Sequence, residues 1–149
     1  MRRPEVLWGY LLPMTIVVAD PDSRFRGKIK RQLEKITGVK VVGESSDWEE
    51  ATAMILNRNP TVVIVNSVLH SGSGIEVLRR ITHMMVTPTI IVVANDPSRD
   101  IRNACSLAGA DFYFDKTSDY RKIIDTVRLL CVPYGQVEAE DSPFAPLDK

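Results

Sequence analysis

The chain has 149 residues, 44% of them hydrophobic and 26% charged, with nineteen acidic and nineteen basic side chains. This length suits one domain with a sizeable core, and this composition excludes a disordered or membrane-embedded chain. The net charge of zero provides no basic surface for nucleic acid, so DNA binding is not expected.

Two terminal segments differ in composition from the centre of the chain. Residues 1–13 contain two arginines and a short apolar run without a cleavage site, which indicates an N-terminal arm rather than a signal peptide, unless translation starts at Met14. Residues 132–149 combine prolines with acidic residues, as is typical of a flexible tail. One domain is therefore predicted over residues 14–131, in the cytoplasm and without a membrane contact.

Strands and helices alternate in this central segment. Helical periodicity follows each strand; the first helix has Phe25, Ile29 and Leu33 on one face, and we expect it to continue through Ile36 to Gly38. Five β-α units predict an α/β fold, a doubly wound parallel sheet with right-handed crossovers and five helices on its two faces. Runs of apolar and β-branched residues predict the five strands over residues 15–19, 39–43, 61–65, 89–93 and 111–114.

Capping side chains mark the starts of three helices. Asp47 and Ser73 are each followed three residues later by a glutamate, which is the capping-box pattern. Asp96 followed by Pro97 predicts the N-cap and the first residue of the fourth helix.

The two cysteines, Cys105 and Cys131, fall on the apolar faces of predicted helices. Their separation does not match the spacing of metal ligands. We therefore expect reduced core thiols in a cytoplasmic protein rather than a redox pair.

Residues 60–78 carry the most informative pattern. They read as an apolar strand, a polar residue at its end (Asn66), a loop over residues 71–74 with two glycines, and the start of a helix. Together with the segments 41–44 (Val-Val-Gly-Glu) and 108–111 (Ala-Gly-Ala-Asp), this pattern resembles the CheY-like receiver domains of bacterial response regulators. The resemblance covers residues 14–131 and implies a five-stranded, flavodoxin-like sheet with strand order 2-1-3-4-5.

The resemblance also places the phosphorylation pocket of the family. Sites in such sheets form at the carboxyl ends of the strands. Asp20 matches the first of two acids after strand one, and Pro21 occupies the second position, which is ordinarily a direct magnesium ligand. Asn66 stands at the position of the phosphoacceptor aspartate, and Val93 at that of a hydroxyl-bearing residue. Lys116 matches the lysine of the pocket.

Two further positions follow from the resemblance. Tyr113 matches the aromatic residue that changes rotamer on activation. Thr117 replaces the proline that usually follows the pocket lysine, which puts the cis peptide bond of the family in doubt.

The remaining charges predict a pocket without its usual chemistry. A carboxamide is a weak, neutral nucleophile, so Asn66 cannot form an acyl phosphate as an aspartate does. Only Asp20 and Lys116 stay charged, and we predict a direct ion pair between them with the Asn66 amide bridging or adjacent. Magnesium binding is then expected to be lost or weak, with no other cofactor and no enzymatic activity.

Three other residues have less specific interpretations. Asp22 is expected to be a cap or an exposed first-turn charge of the first helix rather than to replace the missing acid. His70 is expected to be a partly exposed loop residue rather than a phosphoacceptor. Trp48 fits an interface anchor and a half-buried structural role equally well.

The favoured function is a stand-alone, phosphorylation-independent pseudo-receiver, an interaction module in two-component (phosphorelay) signalling. Its expected partners are signalling proteins such as a histidine kinase or an output protein. A homodimer through helix four, strand five and helix five is a further expectation. The alternative is a receiver still regulated through an unconventional phosphoacceptor, or through a small-molecule ligand in the degenerate pocket.

Overall fold

A five-stranded sheet, five helices and a two-stranded hairpin make up the part of the chain that the computed structural model describes, residues 13–95 and 98–131. The strands are β1 Met14–Ala19, β2 Val39–Ser45, β3 Val62–Asn66, β4 Thr89–Ala94 and β5 Phe112–Asp115. The helices are α1 Ser23–Leu33, α2 Trp48–Arg58, α3 Gly74–Ile81, α4 Arg99–Leu107 and α5 Tyr120–Cys131. A short antiparallel hairpin, Val68–Leu69 with Gly72–Ser73, lies between β3 and α3.

The sheet is parallel, with strand order β2-β1-β3-β4-β5. This order confirms the predicted doubly wound fold. The three central strands are nearly continuous runs of β-branched residues because both of their faces are covered by helices. Since β1 and β3 are neighbours, the residues at their carboxyl ends lie side by side.

Successive strand residues point to opposite faces and build two cores. Ile16 and Val18 of β1 face α1 and α5, whereas Val17 and Ala19 face α2, α3 and α4. Cys105 is buried in the second core, as expected, but Cys131 is only half-buried. Burial raises the pKa of both thiols.

Two helix boundaries differ from the predictions. Helix α1 ends at Leu33 rather than at Gly38; Ile36 still packs against the core, but from a turn that Gly38 closes with a φ of 88°. Helix α4 begins at Arg99, because the Ser98 hydroxyl accepts a hydrogen bond from the Ile101 N–H at 3.1 Å. The predicted cap at Asp96 was therefore wrong.

The caps predicted for α2 and α3 are present. The side chains of Asp47 and Ser73 accept hydrogen bonds from the backbone N–H groups of Glu50 and Glu76. Residues 96–97, the predicted tail 132–149 and all of the predicted arm except Pro13 lie outside the described residues. No helix within the described ranges is long and apolar enough to cross a membrane.

Candidate functional site

Three polar side chains meet at the carboxyl edge of the sheet. Asp20 follows β1, Asn66 ends β3 and Lys116 follows β5, and all three are buried, with Asp20 0% exposed. Lys116 Nζ lies 2.8 Å from Asp20 Oδ1, and Asn66 Nδ2 lies 2.9 Å from Asp20 Oδ2. The structure thus contains the ion pair that the charge count predicts, with the amide adjacent to it.

The remaining oxygens of this cluster also have partners. Asp20 Oδ1 accepts a second hydrogen bond from the Asp22 N–H at 2.8 Å, and Asn66 Oδ1 accepts one from the Val68 N–H at 2.9 Å. The Asn66 amide thus lies between the Asp20 carboxylate, which only accepts, and the Val68 N–H, which only donates. These two partners determine which end of the amide is the nitrogen and which is the oxygen. The cluster therefore carries one negative and one positive charge, and each of its side-chain oxygens is satisfied.

An aromatic ring lies next to the buried ammonium. Lys116 Nζ is 4.6 Å from the ring centroid of Phe25 in α1, a cation–π distance. The sequence predicts Phe25 only as part of the apolar face of the first helix. Its contact with Lys116 links α1 to the turn after β5, and no local pattern predicts a contact between residues so far apart in the chain.

The turn after β5 is stabilised by Asp115. Its Oδ1 accepts hydrogen bonds from the N–H groups of Ser118 (2.8 Å) and Thr117 (2.9 Å). These bonds, with Ser118 the larger contributor, lower the pKa of the Asp115 carboxyl. The described peptide bonds, including the one between Lys116 and Thr117, are all trans.

Val93 and Pro21 complete the set of pocket positions. Val93 is fully buried in β4, where it pairs in register with Asn66, and it brings no hydroxyl to this edge. Pro21 is half-buried at the rim. Tyr113 lies on β5, half-buried, with the guanidinium carbon of Arg102 5.3 Å from its ring centroid.

The side chains present do not suit the magnesium ion that the resemblance to receivers implies. Both oxygens of Asp20 are engaged by donors, and Asn66 Oδ1 faces a backbone N–H. Pro21 has no side-chain oxygen, whereas magnesium prefers several oxygen ligands in an octahedral arrangement. Residues 13–95 and 98–131 contain no group of three or more histidine, cysteine, aspartate or glutamate side chains arranged to hold a metal.

The structure also separates the alternatives for the three less specific residues. Asp22 is the exposed N-cap of α1; its carboxylate accepts from the Arg24 N–H at 2.9 Å, which lowers the pKa of Asp22. His70 is exposed in the turn of the hairpin, between Leu69 and Gly72. Trp48 is half-buried and packs so closely on Gly72 that a Cβ there would clash with the indole, which favours the structural role.

Comparison with known proteins gives a consistent assignment. The family model described as response regulator receiver domain matches residues 16–128. The transcriptional regulatory protein LiaR of Bacillus subtilis is 28% identical over 113 residues, 76% of this chain and 54% of LiaR. The response regulator UvrY of Escherichia coli is 25% identical over an alignment 151 positions long, which covers 91% of this chain and 69% of UvrY. The chain thus spans about half the length of LiaR.

Solved structures share the fold. A two-component response regulator of the LuxR family from Aurantimonas sp. SI85-9A1 has a TM-score of 0.73 at 24% identity, covering 80% of this chain and 85% of that one. The signal receiver domain of the response regulator NarL from Mycobacterium tuberculosis has a TM-score of 0.73 at 22% identity, with coverages of 80% and 96%. At these identities the similarity concerns the fold alone.

Proposed function

We propose that this chain, which belongs to the response regulator receiver family, acts in two-component signalling as a receiver that works without phosphorylation. It would be a non-enzymatic, cytoplasmic module that transmits a signal by binding other proteins. The observation that carries this proposal is the Asn66 amide at the phosphoacceptor position, hydrogen-bonded to the Asp20–Lys116 ion pair.

The chemistry of phosphoryl transfer supports this proposal. An acyl phosphate forms on a carboxylate, and the amide nitrogen of Asn66 instead donates to Asp20. A phosphoryl group brings about two negative charges, which donors and cations must neutralise. Val93 offers no hydroxyl to such a group, and the charge of Lys116 is already paired.

We propose the same cause for a weak or absent magnesium affinity. Magnesium would have to displace Lys116 and the Asn66 amide from Asp20 while gaining no ligand from Pro21. The loss of these buried interactions opposes metal binding.

A surface formed by α4, β5 and α5 is our proposal for the protein contact, including a homodimer. Asp100 and Arg102 of α4 are exposed, and Asp119 and Lys122 form an ion pair 3.4 Å long at the start of α5. Both signs of charge on one surface suit a self-complementary two-fold contact. Light scattering at high protein concentration and low salt should give a dimer mass that the Arg102→Glu variant reduces; a monomer mass for the unmodified protein would reject this contact.

The main experiment is incubation with acetyl phosphate and magnesium, followed by intact-mass analysis. A receiver with its aspartate intact serves as the control for the donor. We expect no phosphoryl adduct on this chain under conditions that modify the control. A stable adduct contradicts phosphorylation independence, and its lability to hydroxylamine would assign it to a carboxylate such as Asp20.

A further inference from the structure

An open cleft lies beside the buried ion pair, between the start of α1 and the turn that leads into α5. Its volume is about 540 Å³, and its lining includes Pro21, Arg24, Phe25, Lys28, Thr117 and Tyr120. Small-molecule sites typically measure about 300–1,000 Å³. The cleft is therefore large enough for a small aromatic ligand.

One wall of the cleft is aromatic. Phe25 of α1 and Tyr120 of α5 meet edge to face, with their ring centroids 6.2 Å apart. Both residues contribute to the core between α1, α5 and the sheet, so their rings are held by packing. Phe25 is only 8% exposed and Tyr120 is half-buried, so Tyr120 provides most of the apolar contact area of this wall, at little cost in side-chain entropy.

The other wall carries positive charge. Arg24 and Lys28 are exposed, and neither reaches ion-pair distance of a carboxylate in the described part of the chain. Lys28 Nζ lies 4.4 Å from the ring centroid of Tyr120, so its charge faces the aromatic wall. Asp22 is the acid in the lining, and Lys116 is neutralised by a carboxylate below the cleft. The surplus in the cleft is one positive charge.

This placement of charge is unfavourable for the helix itself. The N-cap Asp22 is the acid at the start of α1; the first turn itself contains none, and the cation at Arg24 opposes the positive end of the helix dipole. Arg24 and Lys28 are one turn apart, a spacing at which like charges destabilise a helix. Two other cations of α1, Arg26 and Lys30, are by contrast paired with Glu44. A bound anion would relieve the repulsion between Arg24 and Lys28.

We propose that this cleft binds a small organic anion with an aromatic ring. The ring lies against Phe25 and Tyr120, and the acid group lies between Arg24 and Lys28. The proposal does not depend on the absence of phosphorylation, because none of these four side chains occupies a position of the phosphorylation pocket.

The test uses the fluorescent probe 8-anilinonaphthalene-1-sulfonate, an aromatic sulfonate, on the full chain. We expect saturable binding with one site and amide chemical-shift changes confined to the cleft, residues 22–28 and 116–120. The variant Arg24→Gln/Lys28→Gln should weaken binding about ten-fold, equivalent to about 1.4 kcal/mol. The matched control Lys35→Gln/Lys40→Gln removes the same charge from exposed positions outside the cleft and should leave binding within about two-fold.

Three results would overturn the proposal. The first is the absence of saturable binding, and the second is an equal effect of the two double variants. The third is a set of chemical-shift changes located at the exposed apolar residues Met85, Val86 and Leu107 instead of at the cleft. The neutral analogue N-phenyl-1-naphthylamine should bind the charge-deficient and the unmodified protein equally, which separates the contribution of the sulfonate from that of the rings.

Discussion

Replacing Asn66 with aspartate restores the nucleophile but should destabilise the folded protein. The amide nitrogen that donates to Asp20 Oδ2 at 2.9 Å would become a carboxylate oxygen. Two carboxylates would then face the single ammonium of Lys116 in a buried cluster. One hydrogen bond is lost and one like-charge contact is gained.

The magnitude follows from the charges and their separation. Two unit charges about 4 Å apart repel by about 4 kcal/mol at an effective dielectric constant of 20. Attraction of the new carboxylate to Lys116 offsets most of this, and the lost hydrogen bond to a charged group adds about 1.5–3 kcal/mol. We expect a net loss of about 3 kcal/mol in the free energy of unfolding at pH 7, or a decrease of about 1–3 M in the urea midpoint.

The stability deficit of Asn66→Asp should depend on pH in a defined direction. In the folded Asn66→Asp variant, protonation of either carboxylate removes the repulsion and provides a new donor, so the folded state takes up a proton at higher pH than the unfolded state does. The deficit relative to the unmodified protein is thus present at neutral pH and decreases as the pH falls. The control Asn66→Ala loses the amide without gaining charge, and its deficit should change less with pH than that of Asn66→Asp.

Urea unfolding with and without magnesium completes the assay. Asn66→Asp alone should gain no stability from magnesium and remain nearly unphosphorylated. The double variant Pro21→Asp/Asn66→Asp should gain about 2.7 kcal/mol when magnesium is present at a hundred times its dissociation constant. If the single variant is as stable as the unmodified protein at pH 7, the electrostatic reasoning is wrong. If magnesium stabilises both variants equally, Pro21 is not the residue that prevents metal binding.

Three further predictions test the structure, two of them with a matched second variant. Lys116→Met leaves the buried Asp20 carboxylate without its cation and should lower the free energy of unfolding, measured in urea, by about 3–5 kcal/mol. The double variant Asp20→Asn/Lys116→Met should recover part of this loss. Gly74→Ala places a Cβ against the backbone carbonyl of Asn66 and should lower the free energy of unfolding by more than about 2 kcal/mol. The control Gly27→Ala lies inside α1, where only an arginine side chain is near the new Cβ. It should leave stability unchanged or raise it by about 0.5–1 kcal/mol. Ser98→Ala should cost about 1 kcal/mol and lower the thermal midpoint if Ser98 caps α4.

The predictable parts of the fold are those specified by local patterns. Strand order follows from family resemblance and from buried β-branched runs, and the caps at Asp47 and Ser73 follow from side chains three residues ahead of a glutamate. The end of α1 was missed because Ile36 continues the apolar periodicity after the helical hydrogen bonds have stopped. The start of α4 was missed because Asp96-Pro97 and Ser98 both carry capping signals, and only the contact with Ile101 distinguishes them.

The candidate site also has one part that the sequence predicts and one part that it does not. The ion pair of Asp20 with Lys116 could be predicted from a count of the charges left at the carboxyl ends of the strands, β1 and β5 in this case. The cleft could not be predicted, because residues of α1 and Tyr120 of α5 line it together. The order of strands and helices in the sequence does not show that these residues meet. A signal was nevertheless present in Arg24 and Lys28, two cations one turn apart at a helix start, where acids are favoured.

The matched cluster at Asp20, Asn66 and Lys116 has an evolutionary consequence. Asn66→Asp by itself would introduce a buried repulsion without supplying a metal site, and Pro21→Asp by itself would add an acid while position 66 carries no carboxylate. Under the proposed function, conversion to a phosphorylated receiver would therefore pass through single variants that are less stable and still inactive. Because the amide and the ammonium together satisfy one carboxylate, single substitutions would not readily make this conversion, and two changes would be needed together.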